Sequence, residues 1–374
     1  MSLSMNIEER TILKRIDWNL VLVIFALNIV GLMNLYSATH GPHSGGVAGL
    51  FVNQIVWILV GWSVFFLFTF FDYYFVSRIA LFVYFGNLAA LVYVSLYGET
   101  ALGAQRWIDL RFFRYQPSET MKLCLIVILA KFLAPRTTDG PGMGAKDLFW
   151  PLVIMGVPFA LVVKQPDLGT ALMLTAIGGT LVLFMKVRFR ILATLVICAL
   201  ISAPIAWTYG FKQYQKDRIH NFLEPENDPL GSGYNSTQSK IAVGSGKFLG
   251  KGFRKGTQSQ LEFLPERHTD FIYSVLSEEH GFVGSTLVLA LFCTLFLICI
   301  RIASTAREKF GALLVVGSMA YIFWHMFINI GMVIGVLPIV GVPLPLLSYG
   351  GSGMLTTMIG LGLVSSVAYR RFLF

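Results

Sequence analysis

Apolar runs without acidic or basic side chains alternate with short polar connections along almost the whole chain. Crossing about 30 Å of hydrocarbon takes roughly 20 helical residues. Five charge-free runs reach that length: Trp18 to Ala38, Phe51 to Phe71, Ile79 to Gly98, Ile191 to Phe211 and Gly281 to Ile300. Pro117 to Pro135, Leu148 to Val163 and Leu168 to Met185 are shorter or interrupted candidates. From Phe310 to Tyr369 there is no charged residue, which is too long for one helix but fits two joined by the Gly/Pro-rich Val336 to Gly353. The pattern predicts an all-α polytopic membrane protein with ten transmembrane helices. Residues 1–374 form a single membrane domain, with one large loop, about residues 212–279, between helices seven and eight.

Composition agrees: 55% of residues are hydrophobic and 13% charged, where soluble chains carry nearer a quarter. A net charge of +9 raises the question of nucleic acid. With the N-terminus placed in the cytoplasm, the inner edges collect fifteen Lys and Arg against seven acids, while the short outer connections hold only Arg106, Arg111, Arg114 and Lys164. The excess is therefore topology signal, no basic stripe is left for nucleic acid, and both termini are expected in the cytoplasm. The first run lacks a small-residue cleavage site and is expected to stay as a span rather than leave as a signal peptide. Cys124, Cys198, Cys293 and Cys299 lie in apolar runs without metal-ligand spacing and read as small hydrophobes. No internal repeat of the kind many transporters show is visible.

Chemistry is expected in the loop from Lys212 to Glu279, which this topology places outside. Its basic and acidic residues balance, and its aromatic content (Phe222, Tyr234, Phe253, Phe263) favours a structured active-site loop over a linker. It ends in Leu264-Pro265-Glu266-Arg267-His268-Thr269-Asp270, running directly into a span. Asp270 reads either as a helix cap or, beside His268 and several cations, as a general base for a sugar hydroxyl.

Three further clusters stand out. Gly103 to Asp109 precedes Gln116-Pro117-Ser118-Glu119 and Lys122, and the three-residue spacing puts Glu119 and Lys122 on one helix face. They form either a structural intramembrane ion pair or a site in which Lys122 holds a lipid-linked phosphate. Lys164 to Thr170 makes a tight turn in which Asp167 most simply caps the next helix. Gly331 to Gly353 is so apolar for an irregular segment that it is expected to dip back into the protein, lining a cavity or merely connecting. His325, in mid-span, reads as a bundle histidine satisfied by its neighbours.

On these residues the chain resembles the shape, elongation, division and sporulation (SEDS) family. The matching segments are Gly103 to Asp109, Gln116 to Lys122, Gln165 to Thr170, Asp228 to Gly233, Gln238 to Gly246, Gly256 to Asp270 and Asn329 to Gly351, in family order. Thr257 to Gln260 looks like the elongation branch more than the division branch.

The resemblance implies a peptidoglycan glycosyltransferase of the bacterial cytoplasmic (inner) membrane that polymerises lipid II on the outer face and releases undecaprenyl pyrophosphate. It places the family's essential aspartate at Asp270 and its Glu-Lys pair at Glu119 and Lys122. It implies an inverting displacement, a class B penicillin-binding protein as transpeptidase partner, and rod-complex scaffold proteins. Lys122 and Arg106 are the first candidates to stabilise the leaving diphosphate, with Arg218, Lys240 and Arg267 behind them. No cofactor is identified for certain; a divalent cation, Mg or Mn, could share that job, although no metal-ligand spacing identifies one. The competing readings are a lipid II flippase, a division-type polymerase and a non-catalytic scaffold.

Overall fold

The computed structural model describes residues 15–40, 48–101, 104–109, 114–136, 142–210, 213–225, 228 and 231–371. Gly103, Arg111, Phe211, Lys212, Pro229 and Leu230, singled out above alone or within segments, lie outside the described residues.

Among the described residues the helices in chain order are α1 (Trp18–Thr39), α2 (Ala48–Phe70), α3 (Tyr73–Tyr97), α4 (Pro117–Leu133), α5 (Ala145–Lys164), α6 (Leu168–Phe184) and α7 (Phe189–Ile205). They are followed by α8 (Gln213–Leu223), α9 (Ser232–Ser245), α10 (Thr257–Gln260), α11 (Ile272–Ser304), α12 (Lys309–Val333) and α13 (Gly351–Arg370). Seven are long and apolar enough to cross a membrane: α1, α2, α3, α5, α11, α12 and α13; α6 and α7 are shorter apolar helices.

Carboxylates start several of these helices, because the first amides of a helix have no partner inside it. Asp17 accepts from Leu20 N at 3.4 Å, and its other oxygen takes Arg301 at 2.6 Å, so one side chain caps α1 and ties it to α11. Asp72 caps α3, and Asp167 caps α6 by accepting from Thr170 N at 3.1 Å. Proline opens α4 at its first position, where no amide hydrogen is needed.

Helix α4 is buried nearly all round and packs against α3, α6 and α12, which makes it the central post of the bundle. Two interior prolines are tolerated in α5, whose other faces neighbour α6 and α3.

The all-α expectation misses one feature. The connection between α3 and α4 forms a small antiparallel sheet of β1 (Glu99–Ala101), β2 (Ala104–Asp109) and β3 (Arg114–Tyr115), in that order. Its strands are too short for alternation to stand out in the sequence.

The large loop is structured, carrying α8, α9, α10 and the first part of α11. Helix α11 is broken at Gly281 (φ 62°, ψ −156°), where a β-carbon would lie 2.3 Å from Gly250 N; both the backbone angle and the close approach exclude a side chain. Before that break, the fully buried Glu278 takes Lys251 Nζ at 2.7 Å and the amide of Gln258 at 3.0 Å, fastening the loop to α11. Between α12 and α13, residues 334–350 have no regular structure and run back against the end of this loop.

Candidate active site

Asp270 closes a tight turn immediately before α11. Thr269 N and Phe271 N both donate to Glu266 O, at 3.1 and 3.3 Å, which fixes the direction in which the Asp270 side chain leaves the turn. The opposite wall is the 334–350 segment. Tyr349 N donates to His268 O at 3.0 Å, Ser348 Oγ to Thr269 O at 2.6 Å, and Asn329 Nδ2 to Asp270 O at 2.8 Å. Three successive carbonyls of the turn thus find donors in or beside that segment, as irregular buried backbone requires. The dipping-back expected of residues 331–353 is what the structure has, and it walls the candidate site.

Asp270 is half-buried, and its carboxyl is pushed up to about 6. Burial is the largest cause and the charge of Glu266 adds to it; a hydrogen bond from Thr269 and the cations Arg218 and Arg106 pull the other way. A carboxylate with this affinity for protons is ionised at neutral pH yet basic enough to take one, as a general base must be. His268 is pushed down by burial, against Glu266, whose carboxylate lies 3.8 Å away.

The cations named from the sequence divide. Arg218, on α8, borders a pocket with Asn221, Phe222, Ser236 and Ile339, the last from the 334–350 segment. Arg106, on β2, donates to Pro166 O at 2.9 Å and lies 3.6 Å from Asp167, so two clusters distant in sequence become one. Both act on Asp270 electrostatically. Lys240 is exposed on α9, its stem beside Gly335. Arg267 is buried and turned away, donating to Ala38 O at 2.9 Å and to Glu262 at 2.8 Å; it anchors the loop to α1.

Glu119 and Lys122 do meet, at 2.7 Å, but inside the bundle. Lys122 is 1% exposed, and its ammonium also donates to His325 Nε2 at 2.8 Å. The two side chains form a buried ion pair. His325 is satisfied on both nitrogens, its Nδ1 lying 3.2 Å from Pro343 O.

Asn329, which opens the last of the matching segments, has no site role assigned to it from the sequence. It is fully buried, and its two amide hydrogens go to Asp270 O and to Val342 O at 2.7 Å. A polar residue in an uncharged span, just ahead of a Gly/Pro-rich segment, was the available signal.

A sequence model of the FtsW, RodA and SpoVE group, described as a cell cycle protein family, matches residues 17–372. The chain belongs to this family. The peptidoglycan glycosyltransferase MrdB of Escherichia coli K12, for instance, is 40% identical over 95% of this chain and 94% of its own. RodA of Treponema pallidum, a peptidoglycan glycosyltransferase, is 32% identical over 95% and 98%. Among solved structures, a chain of a peptidoglycan synthase complex that coordinates polymerization and crosslinking superposes with a TM-score of 0.82 at 30% identity, over 96% of this chain and 99% of that one. The rod shape determining protein RodA of Thermus thermophilus superposes at 0.70, with 27% identity over 96% and 98%. Membership in the FtsW, RodA and SpoVE family and the seven long apolar helices make this a multi-pass membrane protein.

Proposed function

We propose that this chain polymerises lipid II into glycan strands during cell elongation, with Asp270 as the general base. The peptidoglycan glycosyltransferase activity follows from the family and from relatives of that activity over nearly the whole chain. The observation that carries the role of Asp270 is its setting: a half-buried carboxylate raised to about 6, at a helix entrance, flanked by Arg218 and Arg106.

In this reading the Asp270 carboxylate accepts the proton of the acceptor sugar's 4-hydroxyl. The freed oxygen attacks the anomeric carbon of the lipid-linked donor, and the bond to undecaprenyl pyrophosphate breaks with its electron pair on the diphosphate. One displacement inverts an α linkage to β, so no covalent nucleophile is needed. Arg218 and Arg106, already placed to influence Asp270, stabilise the charge that grows on the diphosphate, and Lys240, exposed on α9, and His268, two residues before Asp270, are further candidates for that role. Arg267 acts by holding the loop. The buried Glu119 and Lys122, which made a flippase a competing reading, neutralise one another.

Among the described residues no group of three His, Cys, Asp or Glu side chains is arranged to hold a metal ion. In this reading a divalent cation, Mg or Mn, that takes part is carried by the diphosphate of the substrate.

The proposed topology has ten spans, α4, α6 and α7 joining the seven long helices, in the bacterial inner membrane. Both termini are cytoplasmic, and α8, α9, α10 and Asp270 lie outside. A class B penicillin-binding protein supplies crosslinking, with rod-complex scaffold proteins organising the pair; the likeness to a chain of a peptidoglycan synthase complex supports such a partnership. The test is polymerisation of lipid II by purified wild type and Asp270→Asn.

A further inference from the structure

The buried polar residues of α12 have no part in the chemistry above, yet they converge on the backbone around Asp270. His325 and Asn329 are four residues apart and share a helix face. Both are buried, at 2% and 0% exposure, in a span where an idle polar side chain is costly. Their donors go to adjacent carbonyls: Asn329 Nδ2 to Val342 O at 2.7 Å and His325 Nδ1 to Pro343 O at 3.2 Å.

The donor assignments are forced by chemistry. A backbone carbonyl only accepts, so the Asn329 atom facing both Val342 O and Asp270 O is its amide nitrogen, with one hydrogen for each. By the same reasoning Nδ1 of His325 carries the proton, and Nε2 is the acceptor for Lys122. The carbonyls so held follow Gly341, whose φ is +72° and whose α-hydrogen, standing where a side chain would start, faces Asp270: a β-carbon there would lie 3.3 Å from Asp270 Oδ2 and near nothing else. A continuous line of contacts therefore runs from Glu119 through Lys122 and His325 to Pro343, and from Asn329 to both walls of the site.

We propose that Asn329 and His325 are positioning residues, which clamp residues 341–343 against the Asp270 turn and thereby set the position and the enclosure of the Asp270 carboxylate. The inference rests on the reading of Asp270 as the base. Asn329 is the direct clamp, bridging the turn and the segment with one amide. His325 is the outer one, through which the buried ion pair braces the same segment.

The enclosure gives a readout that ordinary destabilisation does not move. Burial is the main reason the Asp270 carboxyl sits near 6. The charged and titratable groups about it are Glu266 and His268 on its own turn, Arg218 on α8, Arg106 on β2 and, on the facing segment, Tyr349, whose ring lies 6.2 Å from that of His268; Lys240 on α9 is exposed, with its stem beside Gly335. Loosening the clamp admits water to the carboxylate and leaves those charges in place. The pH at which activity is half lost on the acid side then falls towards the ordinary carboxylate range.

The experiment is the pH profile of kcat and KM for polymerisation of fluorescent lipid II by full-length wild type, Asn329→Ala and His325→Gln, each purified with a size-exclusion check of folding. The glutamine keeps an acceptor for Lys122, while its amide, on a flexible chain and displaced from the imidazole Nδ1, holds Pro343 O less firmly. Asn329→Ala is expected to lower kcat about tenfold to a hundredfold, the scale of a misplaced catalytic group, with KM little changed and the acid limb moved to lower pH. His325→Gln is expected to do the same to a smaller extent, and it decides the matter if the alanine variant does not fold. Folded variants with wild-type kcat, or with lowered kcat and an unmoved acid limb, would overturn the clamp while leaving Asp270 as base. Normal polymerisation by Asp270→Asn would instead remove the reading on which the clamp rests.

Discussion

Gly341 faces Asp270 so closely that a β-carbon at residue 341 would stand 3.3 Å from the carboxylate oxygen Oδ2. The glycine is also held at φ +72°, a conformation that costs a residue with a side chain about 1 kcal/mol or more. Gly341→Ala is therefore expected to lower the melting temperature in detergent modestly and polymerisation strongly. Equal retention of both would show that the approach of residue 341 has no bearing on the site.

With Asp270 as the proposed base, the acid limb of the wild-type reaction should lie near pH 6, because the base must be ionised and this carboxyl sits there. Glu266 is the second cause of that elevation, after burial. Glu266→Gln removes a negative charge, so the carboxyl falls and the acid limb moves to lower pH. A limb that stays in place or moves up would contradict the assignment of Asp270 as the titrating group.

Stability gives an independent check of the same environment. A carboxyl raised in the folded state binds its proton more tightly there than in the unfolded chain. Its charge therefore costs stability, fully above pH 6, fading as pH falls towards 3.8. Asp270→Asn is expected to melt no lower than wild type at pH 7.5, and its advantage should vanish near pH 4. A variant that melts well below wild type at pH 7.5 would show the carboxylate to be stabilising instead.

The ion pair in α4 predicts a different pattern. Removing one member of a buried pair strands the other and typically costs about 3–5 kcal/mol, whereas removing both is far milder. Lys122→Met should destabilise the protein in detergent melts, and Glu119→Gln combined with Lys122→Met should recover part of the loss. A Lys122→Met variant of normal stability but raised KM for lipid II would return Lys122 to phosphate binding.

Much of the fold can be read from residue pattern alone, because a span needs length without charge and that is a local property. The run from Trp18 became α1 and the turn at Asp167 became the cap of α6. The start expected at Ile79 fell short, since α3 begins at Tyr73 and carries Arg78 within it. The start expected at Gly281 is instead a break inside α11. Asp270 was recognisable from its sequence context, but its surroundings were not. Tyr349 to His268, Ser348 to Thr269 and Asn329 to Asp270 are pairs some sixty to eighty residues apart, and no spacing rule reaches across that distance. Arg267 shows the converse: its charge beside Asp270 suggested a diphosphate contact, and only the fold reveals it bound to Ala38 O.

The most direct measurement is gel-resolved polymerisation of fluorescent lipid II by purified protein fused to a cognate class B penicillin-binding protein, comparing wild type with a folded Asp270→Asn. Polymer from the wild type and a rate lower by about 10² to 10⁴ in the variant is the predicted result. Polymer made equally well by both would contradict Asp270 as the base.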